Sequence, residues 1–101
     1  MKVFRFPFAL DMKRAALDGR KSCTSRTKVY GVVGDSFFLG NVCFELLEVK
    51  KATLGFIARF LYNAEGFNSP AEFKAKWVAL HPRKRWNPRQ VVFVHFFKKV
   101  V

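Results

Sequence analysis

Three cations and three hydroxyl groups surround one thiol in residues 19–26, whose sequence is GRKSCTSR. Lys21, Thr24 and Arg26 are the residues of this stretch whose types and spacing could do chemistry together. A lysine in a turn, beside a strand that presents a threonine and an arginine, can bind an anion or activate a hydroxyl group as a nucleophile. A solvated, basic hairpin edge is the alternative, and these residues by themselves favour that interpretation.

A short helix and a strand must position these side chains. Apolar residues recur at helical spacing over positions 8–17, and Gly19 can adopt the left-handed conformation that ends the helix. Residues 21–26 then alternate as in a strand. One face of that strand carries Ser22, Thr24 and Arg26, and the other carries Cys23 and Ser25.

The rest of the chain predicts a small α+β fold. From alternation and turn residues, strands are expected at 2–6, 36–39, 42–49 and 91–97, with Gly40-Asn41 as a hairpin turn. Helices are expected at 54–64 and from Pro70 to a point before Pro82, the second one capped by Ser69 and Glu72. The order β-α-β-β-β-α-α-β predicts one domain over residues 1–101, built on a curled sheet.

The composition indicates a packed, strongly basic domain. Half of the 101 residues are hydrophobic and 17% are aromatic, so disorder is not expected. The net charge of +12 favours polyanionic partners such as RNA or DNA, or an anionic membrane surface. In residues 83–89, the basic loop, Trp86 can stack on a base while cations hold phosphates, and a solvated loop with one anchoring tryptophan is an equal alternative. The cations of the basic loop are Arg83, Lys84, Arg85 and Arg89.

Metal, disulfide and membrane chemistry have little support in the sequence. Cys23 and Cys43 show no CxxC spacing and no nearby histidine, so we expect no metal site and no cofactor. Two reduced thiols are favoured over a disulfide. The N-terminus lacks a signal-peptide pattern and the apolar runs are too short to span a bilayer. We therefore expect a cytoplasmic protein, with no membrane contact and no obligate protein partner.

Several motifs together resemble those of ASCH domains, which belong to the PUA-like β-barrels. Residues 19–26 are similar to the GxKxxxxR signature of that family, and Gly34-Asp35 is similar to its turn before the central hairpin. Residues 65–69 resemble the EGF-x-S segment, and residues 91–96 resemble the closing strand. The resemblance covers roughly residues 8 to 97. It implies a small PUA-like β-barrel with two or three flanking helices.

The same resemblance implies several functions. Many ASCH proteins are inferred to bind RNA, some are reported as nucleases, and one bacterial branch hydrolyses N(4)-acetylcytidine to cytidine. That branch has a GRKxxTxR segment, whereas many other members carry an acidic residue at the position of Thr24. Its lysine and threonine act with a glutamate from a later loop, which implies catalytic roles for Lys21, Thr24 and Glu65. The residues expected to bind the substrate are Arg26, Ser22, Tyr30 and Phe67.

Amide hydrolysis needs a nucleophile, a base and a group that stabilises charge. Thr24 can supply the nucleophilic hydroxyl. Lys21 can accept its proton only as a neutral amine, a form that burial and nearby cations favour and that a carboxylate at Glu65 opposes. On an ideal strand Lys21 and Thr24 point to opposite faces, so this mechanism requires Lys21 to lie in the turn with its stem folded back.

We therefore expect an amidohydrolase that cleaves the N(4)-acyl amide of acylated cytidine or cytosine, a small nucleoside substrate, with weak RNA binding as a by-product. The alternative is an RNA-binding module that lacks catalysis or acts as a ribonuclease. A third hypothesis, Cys23 as the nucleophile, lacks a histidine nearby in the sequence. His81 and His95 are expected to be core or capping residues rather than acid–base groups.

Overall fold

A four-stranded antiparallel sheet forms the centre of the fold in the computed structural model, which describes residues 2–100. The elements are α1 (Leu10–Leu17), β1 (Cys23–Arg26), β2 (Ser36–Leu39), β3 (Val42–Thr53), α2 (Leu54–Phe56), a π-helical turn (Ile57–Leu61), α3 (Pro70–Leu80) and β4 (Val91–Lys99). The strand order is β1-β4-β3-β2, which makes β1 an edge strand. The prediction of an α+β fold on a curled sheet, flanked by helices, is confirmed.

The long β3–β4 ladder gives the sheet its curl. It runs from the pair Phe44–Lys99 to the pair Thr53–Val91, so both strands are longer than the sequence predicts. The register shifts between Leu46 and Glu48. Such a bulge bends a strand pair and increases its twist, and the bent pair can wrap partly around the helices.

The predicted first strand at residues 2–6 is wrong. Within the described residues, its ladder contact is a single parallel bridge between Val3 and Ser36. Phe4 and Phe6 instead bring their rings to within 5.5 and 5.1 Å of the Phe37 ring, centroid to centroid. The alternation in the sequence therefore comes from aromatic packing onto β2 and not from a sheet ladder.

Two hydrophobic clusters hold the helices against the sheet. The first joins β1 and β4 to the helical segments and contains Cys23, Leu54, Ile57, Phe67, Phe73, Trp77, Val92 and Val94. The second joins the N-terminal segment and α1 to β2, β3 and β4 and contains Phe6, Ala16, Phe37, Leu39, Phe44 and Phe97. Because β4 contributes to both clusters, the two halves of the interior are fixed relative to each other.

The helix ends follow the predicted capping signals. α1 ends at Leu17, and Gly19, two residues beyond it, has the positive φ of 82° expected of the residue that stops the helix. The Ser69 side chain accepts a hydrogen bond from the Glu72 backbone N–H at 3.1 Å, with Pro70 as the first residue of α3, so the predicted N-cap at Ser69 is confirmed. The predicted helix over 54–64 is a short α2 that continues as the π-helical turn. Within residues 2–100, no helix has both the length and the apolar content that crossing a membrane requires.

The turn after the π-helical segment is attached to the segment between α1 and β1. The Ala64 carbonyl accepts hydrogen bonds from the backbone N–H groups of Ser22 and Cys23 at 2.7 and 3.2 Å. On its other side, the backbone N–H of Lys21 donates to the Ala15 carbonyl at 3.1 Å. Two parts of the chain that are far apart in sequence are thereby held in contact.

Substitution of Gly66 tests this contact. Gly66 has φ +99°, and a Cβ there would lie 3.2 Å from the Cβ atoms of both Ala15 and Lys21. Gly40 has φ +61° with nothing near its missing Cβ, so Gly40→Ala is a matched control that introduces backbone strain alone. We expect Gly66→Ala to lower the free energy of unfolding in urea about twice as much as Gly40→Ala, because overpacking adds to the strain. Equal losses would contradict this interpretation.

Candidate active site

A cavity of about 340 Å³ lies beside β1 and is bordered by α1 and α3, a size typical of small-molecule sites. Six of the seven residues predicted for catalysis and substrate binding line it: Lys21, Thr24, Arg26, Tyr30, Glu65 and Phe67. Ser22, predicted to bind substrate, is not among the lining residues. It is exposed, and its backbone N–H and carbonyl are bonded to Ala64 and Phe97.

Lys21 and Glu65 form a buried ion pair at the wall of this cavity. Each is 3% exposed. The Lys21 ammonium donates to Glu65 Oε1 at 3.1 Å and to the Glu65 backbone carbonyl at 2.9 Å. Lys21 precedes β1 instead of belonging to it, which is the placement that the predicted mechanism requires. An ammonium has three N–H donors, so one remains for a ligand.

Ser25 completes the hydrogen bonding of the Glu65 carboxylate. Its hydroxyl donates to Glu65 Oε2 at 2.5 Å, and Ser25 is itself buried. Strand alternation predicts that Ser25 lies on the face opposite Thr24, so the sequence pattern does not identify it as a site residue. Both residues line the cavity, because β1 is an edge strand and the cavity borders it from the side. A serine within a short, buried strand was the available signal.

Arg26 is held among aromatic rings next to Thr24. Its guanidinium carbon lies 4.5, 4.9 and 5.5 Å from the ring centroids of Phe6, Phe8 and Tyr30. Its Nε donates a long hydrogen bond of 3.4 Å to Thr24 Oγ1. Burial lowers the pKa of Arg26, since a cation is less stable away from water. Within the described part of the chain, Arg26 forms no salt bridge.

His95 is a fully buried core residue, as predicted, and it holds Tyr30 at the cavity. Its Nε2 accepts from the Tyr30 backbone N–H at 2.9 Å, so its Nδ1 carries the proton and donates to the Phe93 carbonyl at 3.0 Å. Burial, with a smaller contribution from the charge of Arg26, lowers the pKa of His95. The neutral ring is therefore the form that the fold stabilises.

Helix α3 contributes cavity residues that the sequence analysis did not place in the site. Lys76 lines the cavity and pairs with Asp11 at 2.6 Å, a hydrogen bond that holds the pKa of Asp11 below its usual value. His81 ends α3 and stacks on Trp77 at 4.0 Å between ring centroids. The Trp77 indole N–H is buried without an acceptor in residues 2–100. The packing of α3 against the π-helical turn and the first hydrophobic cluster decides these positions, and helical periodicity alone does not reveal that packing.

Cys23 is not suited to act as the nucleophile. It is fully buried and does not line the cavity. Burial and the charge of Glu65 raise the pKa of the Cys23 thiol far above its usual range, which disfavours the reactive thiolate. Cys23 and Cys43 are both free thiols in the structure. Among residues 2–100, no group of three histidine, cysteine or acidic side chains could hold a metal ion.

The basic loop lies outside the cavity. Its arginines and lysine are exposed and line no part of the cavity wall. Trp86 is half-buried and packs against the first hydrophobic cluster, with its ring 6.3 Å from the Phe73 ring. The Lys74 ammonium lies 5.5 Å from the same indole. These contacts match the alternative in which Trp86 anchors the loop.

The fold is similar to that of two solved structures. One is an ASCH domain from Lactobacillus crispatus, with a TM-score of 0.68 and 13% identity over 97% of this chain and 78% of the other. The second is a DUF984 protein from Enterococcus faecalis, with a TM-score of 0.66 and 14% identity over 99% of this chain and 76% of the other. No protein-family model and no curated protein matches the sequence. The chain thus has the ASCH-type, PUA-like fold that the motifs predicted.

A double-mutant cycle tests the buried ion pair. We expect Lys21→Met and Glu65→Gln each to lower the free energy of unfolding by about 3–5 kcal/mol, because each leaves a buried polar partner unsatisfied. The double variant should lose clearly less than the sum of the two. The exposed pair Glu48–Lys50, whose charged atoms are 3.4 Å apart, is the control. The coupling energy of this pair in the same kind of cycle should be less than about 1 kcal/mol. Additive losses at Lys21 and Glu65 would contradict a coupled pair.

His95 predicts a pH dependence of stability. Because the pKa of His95 is lowered in the folded state, the unfolded chain binds more protons once the pH falls below the ordinary histidine pKa of 6.5, and stability falls with it. We expect His95→Gln to reduce the loss of unfolding free energy between about pH 7 and about pH 5.5. His81→Gln, which replaces the second histidine, should keep most of that loss. An unchanged pH profile in His95→Gln would show that another group causes it.

Proposed function

We propose that this protein hydrolyses the N(4)-acyl amide of an acylated cytidine or cytosine, releasing the free nucleoside or base and a carboxylic acid. The observation that carries the proposal is the buried Lys21–Glu65 contact at a cavity that Thr24 also lines. The amidohydrolase branch of the ASCH resemblance uses these three residue types together.

In the proposed first step, Thr24 Oγ1 attacks the acyl carbon and the bond from that carbon to N4 breaks. Lys21 accepts the hydroxyl proton after its own proton has moved to Glu65 across their 3.1 Å contact. Lys21 then donates a proton to the departing N4 nitrogen. The step yields an acyl ester on Thr24 and free cytidine or cytosine.

In the second step, a water molecule attacks the carbon of this ester. The water proton passes to Lys21, which returns a proton to Thr24 Oγ1 as the carbon–oxygen bond breaks. A carboxylic acid leaves, and the proton that Glu65 accepted in the first step returns to Lys21, which restores both side chains to their starting state. Ser25 is a positioning residue in this scheme, because its hydroxyl bonds Glu65 Oε2 and thereby aims Oε1 at Lys21.

The aromatic walls of the cavity suit a planar base. Phe8, Phe67, Phe73 and Trp77 line it, together with Tyr30. Flat apolar rings bind a pyrimidine by stacking and edge contacts, and they exclude water from the reacting amide. The cavity therefore suits a small nucleoside in chemistry as well as in size.

An RNA-binding module without catalysis is the second candidate, and the exposed basic loop is the observation that favours it. Four cations of that loop face solvent close to the end of α3. Such a module would bind oligonucleotides with an affinity that falls steeply with salt, and it would release no cytidine from acylcytidine. An enzyme with the same surface would show weak, salt-sensitive RNA binding in addition to turnover.

Hydroxyl variants test the amidohydrolase proposal in an ultraviolet assay of N(4)-acetylcytidine conversion to cytidine. We expect Thr24→Ala to lose about 1,000-fold or more in turnover, because the nucleophile is gone, and Thr24→Ser to retain measurable turnover. Ser25→Ala should lose about 10- to 100-fold, as expected when a supporting hydrogen bond is removed. Ser22→Ala, which removes a hydroxyl outside the cavity, is the control and should match the wild type.

Three outcomes would contradict the assignment. Near-wild-type turnover by Thr24→Ala would remove Thr24 from the reaction. A complete loss in Ser25→Ala together with activity in Thr24→Ala would make Ser25 the nucleophile. Absence of turnover by the wild-type protein, combined with salt-sensitive oligonucleotide binding, would favour the binding module.

A further inference from the structure

Arg26 is the cation of the cavity that forms no ion pair with a carboxylate in residues 2–100, and the charge of Glu65 acts on it only from beyond salt-bridge distance. Three cationic side chains line the cavity: Lys21, Arg26 and Lys76. Lys21 is paired with Glu65 at 3.1 Å, and Lys76 is paired with Asp11 at 2.6 Å. Within residues 2–100, Arg26 has no such partner, so the cavity carries one uncompensated positive charge.

The immediate surroundings of Arg26 hold its guanidinium in place without satisfying its charge. Its polar neighbours are the hydroxyl groups of Thr24 and Tyr30, and the rings of Phe6 and Phe8 pack against it. A guanidinium has five N–H donors in a rigid fork, of which two hydroxyl groups can engage only some. A cation held rigidly, partly desolvated and left with free donors is the arrangement that recognises a carboxylate or a phosphate.

We propose that Arg26 binds an anionic group of the ligand, a carboxylate or a phosphate, so that the cavity prefers an anionic acylated cytidine over a neutral one. This substrate class rests on the proposed hydrolase activity, whereas the anion site itself does not. Burial lowers the pKa of Arg26, and a bound anion would offset that cost.

The position of Arg26 relative to Thr24 bears on where the anion sits. Arg26 Nε is 3.4 Å from Thr24 Oγ1, the proposed nucleophile. A group bound by Arg26 therefore lies close to the reacting acyl carbon. This position suits a carboxylate carried on the acyl chain, and a phosphate on the ribose reaches it only if the nucleoside lies with its sugar toward β1.

Four substrates distinguish a carboxylate on the acyl chain from a phosphate on the ribose as the anionic group that Arg26 binds. N(4)-succinylcytidine and N(4)-butanoylcytidine have acyl chains of similar length that differ in one terminal carboxylate. N(4)-acetylcytidine 5′-monophosphate and N(4)-acetylcytidine differ in one phosphate. We expect the wild-type protein to prefer the anionic member of at least one pair by about 10- to 100-fold in kcat/KM, mainly through KM, since one charge-assisted contact has that magnitude.

Variants at Arg26 test whether this side chain binds the anionic group of the substrate. Arg26→Met keeps an unbranched apolar stem among the rings and should abolish the preference, while Arg26→Lys should keep part of it as a point charge without the planar fork. Lys28→Met is the matched control, because Lys28 also lies over the Tyr30 ring, at 4.9 Å, but does not line the cavity. We expect Lys28→Met to retain the full preference, and thermal unfolding checks that each variant folds.

The outcomes keep this inference separate from the proposed function. Equal turnover of both members of each pair by the wild type, or an equal loss on charged and neutral substrates in Arg26→Met, overturns the anion site and leaves hydrolysis standing. If no substrate is hydrolysed, titration calorimetry with succinate and with cytidine 5′-monophosphate decides. Binding of either one that Arg26→Met removes and Lys28→Met keeps supports the anion site without the hydrolase, and absence of binding overturns it.

Discussion

The buried pairing of Lys21 with Glu65 is the interaction on which the rest of the site depends. Taking a single charge out of water costs several kcal/mol even in a relaxed protein interior, so neither side chain is stable there without the other. Each partner also has further bonds: Lys21 to the backbone carbonyl of Glu65, and Glu65 to the hydroxyl of Ser25. The hydrogen bonding of these charges is therefore largely satisfied inside the protein.

The backbone is arranged so that this pair can form. The carbonyl of Ala64 binds the two amides at the start of β1, and Gly66 allows its own chain to approach Lys21 more closely than a side chain would permit. The π-helical turn precedes this segment, and its wider winding redirects the chain after Leu61. β1 lies at the edge of the sheet, which leaves space for a cavity where an interior strand would have a neighbour. The contacts that hold the segment of Ala64 and Gly66 against the start of β1 therefore also bring Glu65 to Lys21.

Much of this arrangement could be predicted from the sequence, and the failures have physical causes. The capped α3, the β2–β3 hairpin and the stop at Gly19 follow from local turn and capping chemistry, which depends on neighbouring residues alone. The strand predicted at residues 2–6 was wrong, because Phe4 and Phe6 alternate with polar residues in the same way whether they pack on β2 or belong to a sheet strand. Ser25 was missed because alternation assumes a strand with two separate faces.

The tertiary contacts of the site were less accessible to sequence reasoning. The meeting of Lys21 with Glu65 was available only through resemblance, since 44 residues separate them. The contribution of Lys76 and His81 depends on how α3 packs, and the sequence of the helix does not reveal which of its faces borders the cavity. Arg26 was expected in the site, but its lack of a carboxylate partner emerges only from the three-dimensional arrangement.

A crystal structure of the Thr24→Ala variant with N(4)-acetylcytidine is the most direct test of amide hydrolysis at the Lys21–Glu65 cavity, because the variant can bind the substrate without hydrolysing it. We expect the pyrimidine to lie among the aromatic side chains of the cavity. Its acyl carbonyl should face position 24, with Lys21 Nζ within hydrogen-bond distance of the amide. A substrate bound on the basic loop, or in the cavity with its acyl group directed away from Lys21, would contradict the proposed catalytic roles of Lys21 and Thr24.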